Sequence, residues 1–392
     1  MVHAYKNVPY YHQQFIELGM EPGDIQTLAD YSKLPYLTKQ NIKDNLSELI
    51  AINFPKNTLV ENYTGGSTGV PLRFIQDKNY LEIMRAIWLR GNSWAGWELG
   101  IKNAWLWGAV QDIAQGINVK GNIVNFINNR VVLNANDISE LLMKGWYERL
   151  SKFKPKIIYG YSSAILIFAK YLLKYNYRLP PLYGIITTAD TLKDRELIEK
   201  AFNCKLHNQY GCREIIHIAS ECRFGNMHVD DDTVLVEYLK YANGADQFEL
   251  IVTPLESFGM PLLRYKIEDI AAPSNLKCDC GLPFSIMKFT EGRISDCLFD
   301  TSGNIVTSGP VITRLAKVFP EIDQFQIIQK KFGEIIVNLK VNEGWNMDFE
   351  NRFLDELRSF FGINIKIVIK YVDRFIPNKS GKHRPMINEI KS

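Results

Sequence analysis

Five short stretches concentrate hydroxyl, aromatic or charged side chains beside glycine or proline turns. The first is Tyr63-Thr64-Gly65-Gly66-Ser67-Thr68-Gly69-Val70-Pro71. Its glycines let backbone N–H groups turn toward one point, and Ser67 and Thr68 add hydroxyl donors suited to a polyphosphate. An ordinary P-loop is excluded, because that motif needs Lys and then Ser or Thr after its last glycine, and Val70-Pro71 stands here instead. The second stretch, Asn208-Gln209-Tyr210-Gly211-Cys212-Arg213-Glu214, places an aromatic ring, a guanidinium and a carboxylate around a glycine turn. The others are Pro261 to Ile270 with Glu268 and Asp269, Gly292-Arg293-Ile294-Ser295-Asp296, and Ile376-Pro377-Asn378-Lys379-Ser380-Gly381-Lys382. Taken singly, the glycine stretch reads equally well as a mobile surface turn, and the others read better as structural residues or surface charges.

A separate set could hold a metal. Cys278-Asp279-Cys280 offers two thiolates, and Cys222 with His228 offers a second pair, enough for a closed tetrahedral Zn²⁺ site; His217 is a rival fourth ligand. The remaining thiols, Cys204, Cys212 and Cys297, read as packing residues.

The elements that must position these groups follow from periodicity. Leu59–Tyr63 and Arg73–Ile75 read as strands, so the glycine stretch is a hairpin tip. Asp77 caps a helix whose apolar residues Tyr80, Ile83, Met84, Ile87 and Trp88 share one face. Buried strands are expected at Asn103–Val110, Ile157–Tyr161 and Tyr183–Thr188, with helices at Asp137–Phe153, Ser162–Leu173 and Leu192–Phe202. That alternation predicts βαβ units on a mainly parallel sheet, with ligands at the strand ends. From Asp231 to Tyr265 the helical period is lost and an antiparallel β-subdomain is expected, through Val234–Leu239 and Phe248–Thr253. After Arg293, hairpin signals at Thr301–Asn304 and Lys331–Gly333, a helix at Met347–Phe361 and a strand at Ile363–Ile369 predict a small α+β lid. The fold class is therefore α/β with a large core, residues 1–294, and a lid, residues 295–392, hinged near Ser295.

Composition bounds the partners. The chain has 392 residues, 46 basic and 43 acidic, for a net charge of +3, which argues against nucleic acid as the main partner. An apolar fraction of 46% fits a packed globular protein, no run suits a membrane span, and six cysteines in so long a chain fit reduced thiols. A cytoplasmic location is the expectation, since Met1–Tyr10 lacks the apolar core of a secretory signal.

In this order, with the glycine loop first, the stretches resemble the ANL superfamily of adenylate-forming enzymes. The likeness is to the phenylacetate-CoA ligase type and its branch often found with capsular polysaccharide genes, and covers nearly the whole chain, from Asn7-Val8-Pro9-Tyr10-Tyr11 onward. The resemblance implies an ATP-dependent acid ligase. A carboxylic acid becomes an acyl-AMP with release of pyrophosphate, and the acyl group then passes to coenzyme A. It implies that Thr64, Gly65, Gly66, Ser67, Thr68 and Gly69 hold the β- and γ-phosphates and that Glu214 holds Mg²⁺. Tyr210 would stack on adenine among further nucleotide contacts at Asp190, Asn208, Gln209 and Gly211. Asp269 would accept the ribose hydroxyls and Arg293 would donate to ribose or the α-phosphate. Lys382, on the mobile lid, would bridge carboxylate and α-phosphate oxygens. The acyl pocket would lie among Trp107–Val110, Tyr159–Ser163 and Thr187–Asp190, and a homodimer is admitted.

Departures from the family pattern are specific. Arg213 replaces a Thr that faces the AMP phosphate, where a guanidinium would either bind phosphate in its place or turn away to pair with a carboxylate; Glu268 replaces Gly; Val70 stands where Lys is frequent; Ser295 replaces the hinge acid. Ser308–Ile312 differs where coenzyme A would be met. Two alternatives therefore stand beside the thioester reading: acyl transfer to an amine or hydroxyl of a glycan or peptide, and a non-catalytic nucleotide-binding relative.

Overall fold

The computed structural model describes residues 1–64, 72–107, 119–135, 139–189, 192, 194–240, 248–293, 297–306, 311, 314–315, 318–373, 375 and 385–390. The N-terminal segment forms short helices, α1 (Val2–Asn7), α2 (Pro9–Leu18), α3 (Leu28–Tyr31) and α4 (Lys39–Asp44). Two begin with a side-chain cap: Thr27 accepts from the Asp30 N–H and Thr38 from the Asn41 N–H. Strands β1 (Leu59–Tyr63) and β2 (Arg73–Asp77) then pair antiparallel, with Tyr63 opposite Arg73, and residues 65–71 between them lie outside the described residues. Helix α5 (Lys78–Ser93) follows at once, capped by Asp77 Oδ1, which accepts from Tyr80 N–H at 2.8 Å. Its Tyr80, Met84 and Ile87 are buried, as their spacing predicts.

The chain then alternates through β3 (Asn103–Trp107), α6 (Val119–Ile127), β4 (Arg130–Asn134), α7 (Glu140–Phe153), β5 (Ile157–Tyr161), α8 (Ser162–Lys174), β6 (Gly184–Thr188), α9 (Arg195–Phe202) and β7 (Leu206–Tyr210). All five of these strands are parallel. Alternation along each strand sends Ala104, Leu106, Val131, Leu133, Ile158 and Ile185 into a closed core against α7, α8 and α9. The opposite face carries Trp105, Trp107, Ile157, Tyr159 and Ile186, packed with Trp88 and Trp97.

Six more strands join this region, β8 (Ala219–Glu221), β9 (Met227–Val229), β10 (Val234–Lys240), β11 (Phe248–Pro254), β12 (Tyr265–Ser274) and β13 (Ile286–Arg293). The antiparallel region is hydrogen-bonded into the parallel sheet. One 11-stranded sheet results, in the order β10-β11-β12-β13-β9-β8-β7-β6-β5-β3-β4. Strand β7 is its seam, parallel to β6 and antiparallel to β8. The N-terminal helices pack against the antiparallel half through Tyr11, Phe15, Leu37 and Ile42.

Later residues form a hairpin, β14 (Leu298–Phe299) with β15 (Ile305–Val306), and a four-stranded sheet of β16 (Ile322–Lys331), β17 (Glu334–Val341), β18 (Lys366–Tyr371) and β19 (Met386–Asn388), in the order β18-β17-β16-β19. Helix α10 (Met347–Phe361) buries Phe353, Leu357 and Phe361 in a core built only from residues between Leu298 and Met386. The strand expected from Ile363 starts later, at Lys366, because Gly362 takes φ +96° and Ile365 N–H closes a turn onto its carbonyl at 3.1 Å. The expected boundary at 294/295 and the Ser295 hinge lie outside the described residues. No helix among the described residues is long and apolar enough to cross a membrane.

Candidate active site

The seam strand delivers the first two groups. Asn208 and Tyr210 share one face of β7, where Thr187 donates to Asn208 Oδ1 at 3.0 Å. The Tyr210 hydroxyl donates to Asp269 Oδ2 at 2.8 Å, joining β7 to β12. Asp269 is buried and stands opposite Arg293 in the β12–β13 register. Gln209 does not join this set through its side chain: it points to the other face and donates to Asn92 Oδ1 on α5 at 2.6 Å.

After β7 the chain makes the turn that carries Glu214. Gly211 is required there, since a Cβ would stand 2.2 Å from the Ile216 carbonyl oxygen. Glu214 is buried, and Tyr265 donates to its Oε1 at 2.7 Å. Burial pushes the Tyr265 phenol well above its ordinary range, so it stays a donor. Arg213, next to it, is exposed.

Gln76 ties this turn to the hairpin. Its amide nitrogen donates to the Glu214 carbonyl at 3.1 Å and the Arg213 carbonyl at 3.3 Å, while its Oε1 accepts from Asn62 at 2.7 Å. At the neck of the loop, Thr64 N–H donates to the Leu72 carbonyl and Thr64 Oγ1 accepts from Leu72 N–H, both at 2.9 Å. Asp77 Oδ2 accepts from Gly259 N–H at 2.9 Å and fastens the base of the hairpin to the chain before β12. Sequence reading missed Gln76 and Tyr265; the one available signal was a polar residue, Gln76, directly after the apolar pair Phe74-Ile75 in its strand.

Glu268 takes φ +65°, the left-handed region that favours glycine. Its carboxylate meets Lys39 Nζ at 2.6 Å. Gly65, Gly66, Ser67, Thr68, Gly69, Asp190 and Lys382 lie outside the described residues, and Arg293 is described in its strand backbone alone.

The cysteine set does assemble. One ligand atom from each of Cys222, His228, Cys278 and Cys280 lies within 4.8 Å of the others. Two thiols, Cys222 and Cys278, are 3.6 Å apart, and His228 Nε2 is 3.3 Å from Cys280 Sγ. His228 Nδ1 donates to the Phe284 carbonyl at 3.0 Å, which leaves Nε2 facing the sulfurs. Phe224 and Leu282 N–H groups donate to Cys222 and Cys280. Burial raises the Cys222 thiol to about 11; for Cys278 burial is outweighed by hydrogen bonds from His228, Cys280 and Asn226, which bring it to about 6. His217, the rival ligand, is elsewhere, its Nδ1 2.7 Å from Asp230 Oδ2 in a buried network with Arg90.

Known proteins share this architecture. The 2-hydroxyisobutyryl-CoA ligase in the postadenylation state superposes with a TM-score of 0.72 over 99% of this chain and 86% of that one, at 15% identity. An anthranilate CoA ligase in complex with anthranoyl-AMP gives 0.55 over 95% and 75%, at 14% identity. The fold is thus that of adenylate-forming acid ligases. In sequence, Protein CapK of Staphylococcus aureus is 30% identical over 98% of this chain and 86% of its own length. A phenylacetate-coenzyme A ligase of Thermus thermophilus is 25% identical over 86% of this chain and 77% of its own. Residues 298–389 match the CapK C-terminal domain. The chain belongs to the CapK and phenylacetate-coenzyme A ligase family of AMP-forming ligases.

Proposed function

We propose that this protein uses ATP and Mg²⁺ to convert a carboxylic acid into an acyl-AMP, releasing pyrophosphate, and then passes the acyl group to coenzyme A. The observation that carries this reading is the convergence on the seam strand. An aromatic ring (Tyr210) is joined to a buried carboxylate (Asp269), and a second buried carboxylate (Glu214) is tied through Gln76 to the hairpin whose strands flank the glycine loop.

In this reading Tyr210 packs on adenine with its hydroxyl fixed by Asp269, and Asp269 accepts from the ribose. Gly211 lets the backbone pass beside the nucleotide, with Asn208 and the backbone of Gln209 alongside. The loop from Thr64 to Gly69 cradles the β- and γ-phosphates. Glu214 supplies the hard oxygen that Mg²⁺ prefers, and the metal offsets phosphate charge. Arg213, Arg293 and Lys382 supply positive charge, with Lys382 entering on a lid of residues 295–392 for adenylation and leaving for transfer. The Cys222–His228–Cys278–Cys280 cluster holds a structural Zn²⁺.

Glu214→Gln tests the reading, because the amide keeps the shape of the side chain but cannot neutralise a cation. Acid-dependent pyrophosphate release should fall with a shifted Mg²⁺ requirement and an unchanged melting temperature. Parent-level rates at every Mg²⁺ concentration would count against it. Supplying coenzyme A, amines or hydroxylated glycans to the acyl-AMP then identifies the acceptor.

A further inference from the structure

Strands β3 and β4 have two unlike faces. On one, Ala104, Leu106, Val131 and Leu133 are fully packed. On the other, Trp105, Trp107, Arg130 and Val132 are only half-buried. The half-open face borders the aromatic group of Trp88, Trp105 and Tyr159, in which the Trp105 and Tyr159 rings lie 4.9 Å apart and Trp88 Nε1 donates to the Tyr159 hydroxyl at 3.3 Å.

Two hydrogen-bond donors meet there without an adequate acceptor. The Arg130 guanidinium lies over the Trp105 ring, 3.7 Å from its centroid. Among the described residues no carboxylate pairs with it, and its hydrogen bond is a long one, 3.3 Å from Nε to Asn103 Oδ1. Burial lowers its pKa to about 10, so it remains a cation that is costly to leave uncompensated. Trp105 Nε1 is buried and has no hydrogen-bond partner. A guanidinium and an indole N–H beside aromatic faces form a receptor for a flat molecule ending in an anionic acceptor.

The position of this receptor separates it from the reacting centre. Arg130 starts β4 opposite Asn103, whereas the ligand end of the sheet is the end of β3 at Trp107. Asn103 and Trp107 are roughly 13 Å apart along the strand at the usual rise. The guanidinium over Trp105 therefore sits before the Trp107 end of the strands, where the carboxylate would be activated.

We propose that Arg130 and Trp105 close the distal end of the acyl pocket and select an acid with a flat apolar body and a second anionic group. The inference rests on the acid-adenylation reading and names its substrate class. The Arg130 charge sets preference through binding, and the Trp105 N–H fixes the same oxygens.

Matched acids test it on the full chain: benzoate with terephthalate, phenylacetate with 4-carboxyphenylacetate, and 3-phenylpropanoate with its 4-carboxy counterpart. Acid-dependent ATP–pyrophosphate exchange should favour the diacid of at least one pair by about tenfold or more in kcat/KM, carried by KM. Arg130→Met should reduce that ratio to near unity, and Trp105→Phe should reduce it by several-fold, with Arg130→Lys restoring part of it. Tryptophan fluorescence titration with the same acids gives a readout independent of turnover. Diacid binding abolished by Arg130→Met, without exchange for any acid, would keep the pocket and remove the adenylation reading. No diacid preference in any pair, or a preference that survives Arg130→Met, overturns the proposal. So does an equal loss for both acids accompanied by a lower melting temperature, which is the signature of a purely structural Arg130.

Discussion

Tyr210 reaches across from β7 to Asp269 on β12, its hydroxyl 2.8 Å from the carboxylate oxygen Oδ2. The pair spans the line on which the parallel and antiparallel halves of the 11-stranded sheet meet. Tyr210→Phe keeps the ring for stacking but removes a charge-assisted donor, worth about 1.5–3 kcal/mol where it is fully used. The KM for ATP should rise by about tenfold with a smaller change in kcat, and nucleotide titration followed by exchange kinetics measures it.

Gln76 should matter more than its distance from the chemistry suggests. It is buried and supplies the amide donor for two carbonyls of the Glu214 turn. Gln76→Met keeps the volume but leaves those carbonyls short of a partner, at a cost of about 1–3 kcal/mol. Melting should show that loss, and the remaining folded enzyme should require more Mg²⁺ because Glu214 is no longer held. An unchanged Mg²⁺ requirement in folded protein would separate Gln76 from the site.

Glu268→Gly sets two small effects against each other. The left-handed φ of +65° costs a non-glycine residue about 1 kcal/mol, while the half-buried ion pair with Lys39 contributes about 0.5 kcal/mol. The backbone effect is offset by the extra unfolded-state freedom of glycine, so stability should stay within about 1 kcal/mol of the parent. Denaturant unfolding checks this. A loss of more than about 2 kcal/mol would mean that the Lys39 contact fixes the Asp269 turn.

Much of this organisation was legible before any coordinates. The extended stretch Leu59–Tyr63, the apolar run Ile157–Tyr161 and the helical stretch Met347–Phe361 have the bounds read from sequence. The join between β7 and β8 was not legible, because β8 (Ala219–Glu221) is three residues long and too short to show a period. The Gln209 orientation is a consequence of strand alternation, which motif reading overlooked. His217 and His228 both sit near Cys222 in sequence, and only the β8–β9 hairpin, which puts Glu221 opposite Met227, decides which ring reaches the thiols.

Zinc should be present in protein purified without affinity-tag metal carry-over, at about one equivalent, since closed thiolate–imidazole sites bind tightly. Cys280→Ser should lower the zinc content and the melting temperature together, and chelation of the parent should reproduce that shift. Less than about half an equivalent in folded, stable protein would remove zinc from the Cys222–His228–Cys278–Cys280 cluster.

The most direct measurement is acid-dependent ATP–pyrophosphate exchange across a panel of carboxylic acids, made in parallel on the parent and on Lys382→Ala. The parent should exchange with at least one acid. Lys382→Ala should lose about two to three orders of magnitude, the cost of removing one electrostatic contact to the transition state, with an unchanged melting temperature. Preformed acyl-AMP of the same acid should still go to product at the parent rate in that variant. Exchange that is absent with every acid, or equal in parent and Lys382→Ala, would contradict acid adenylation by this chain in the form proposed.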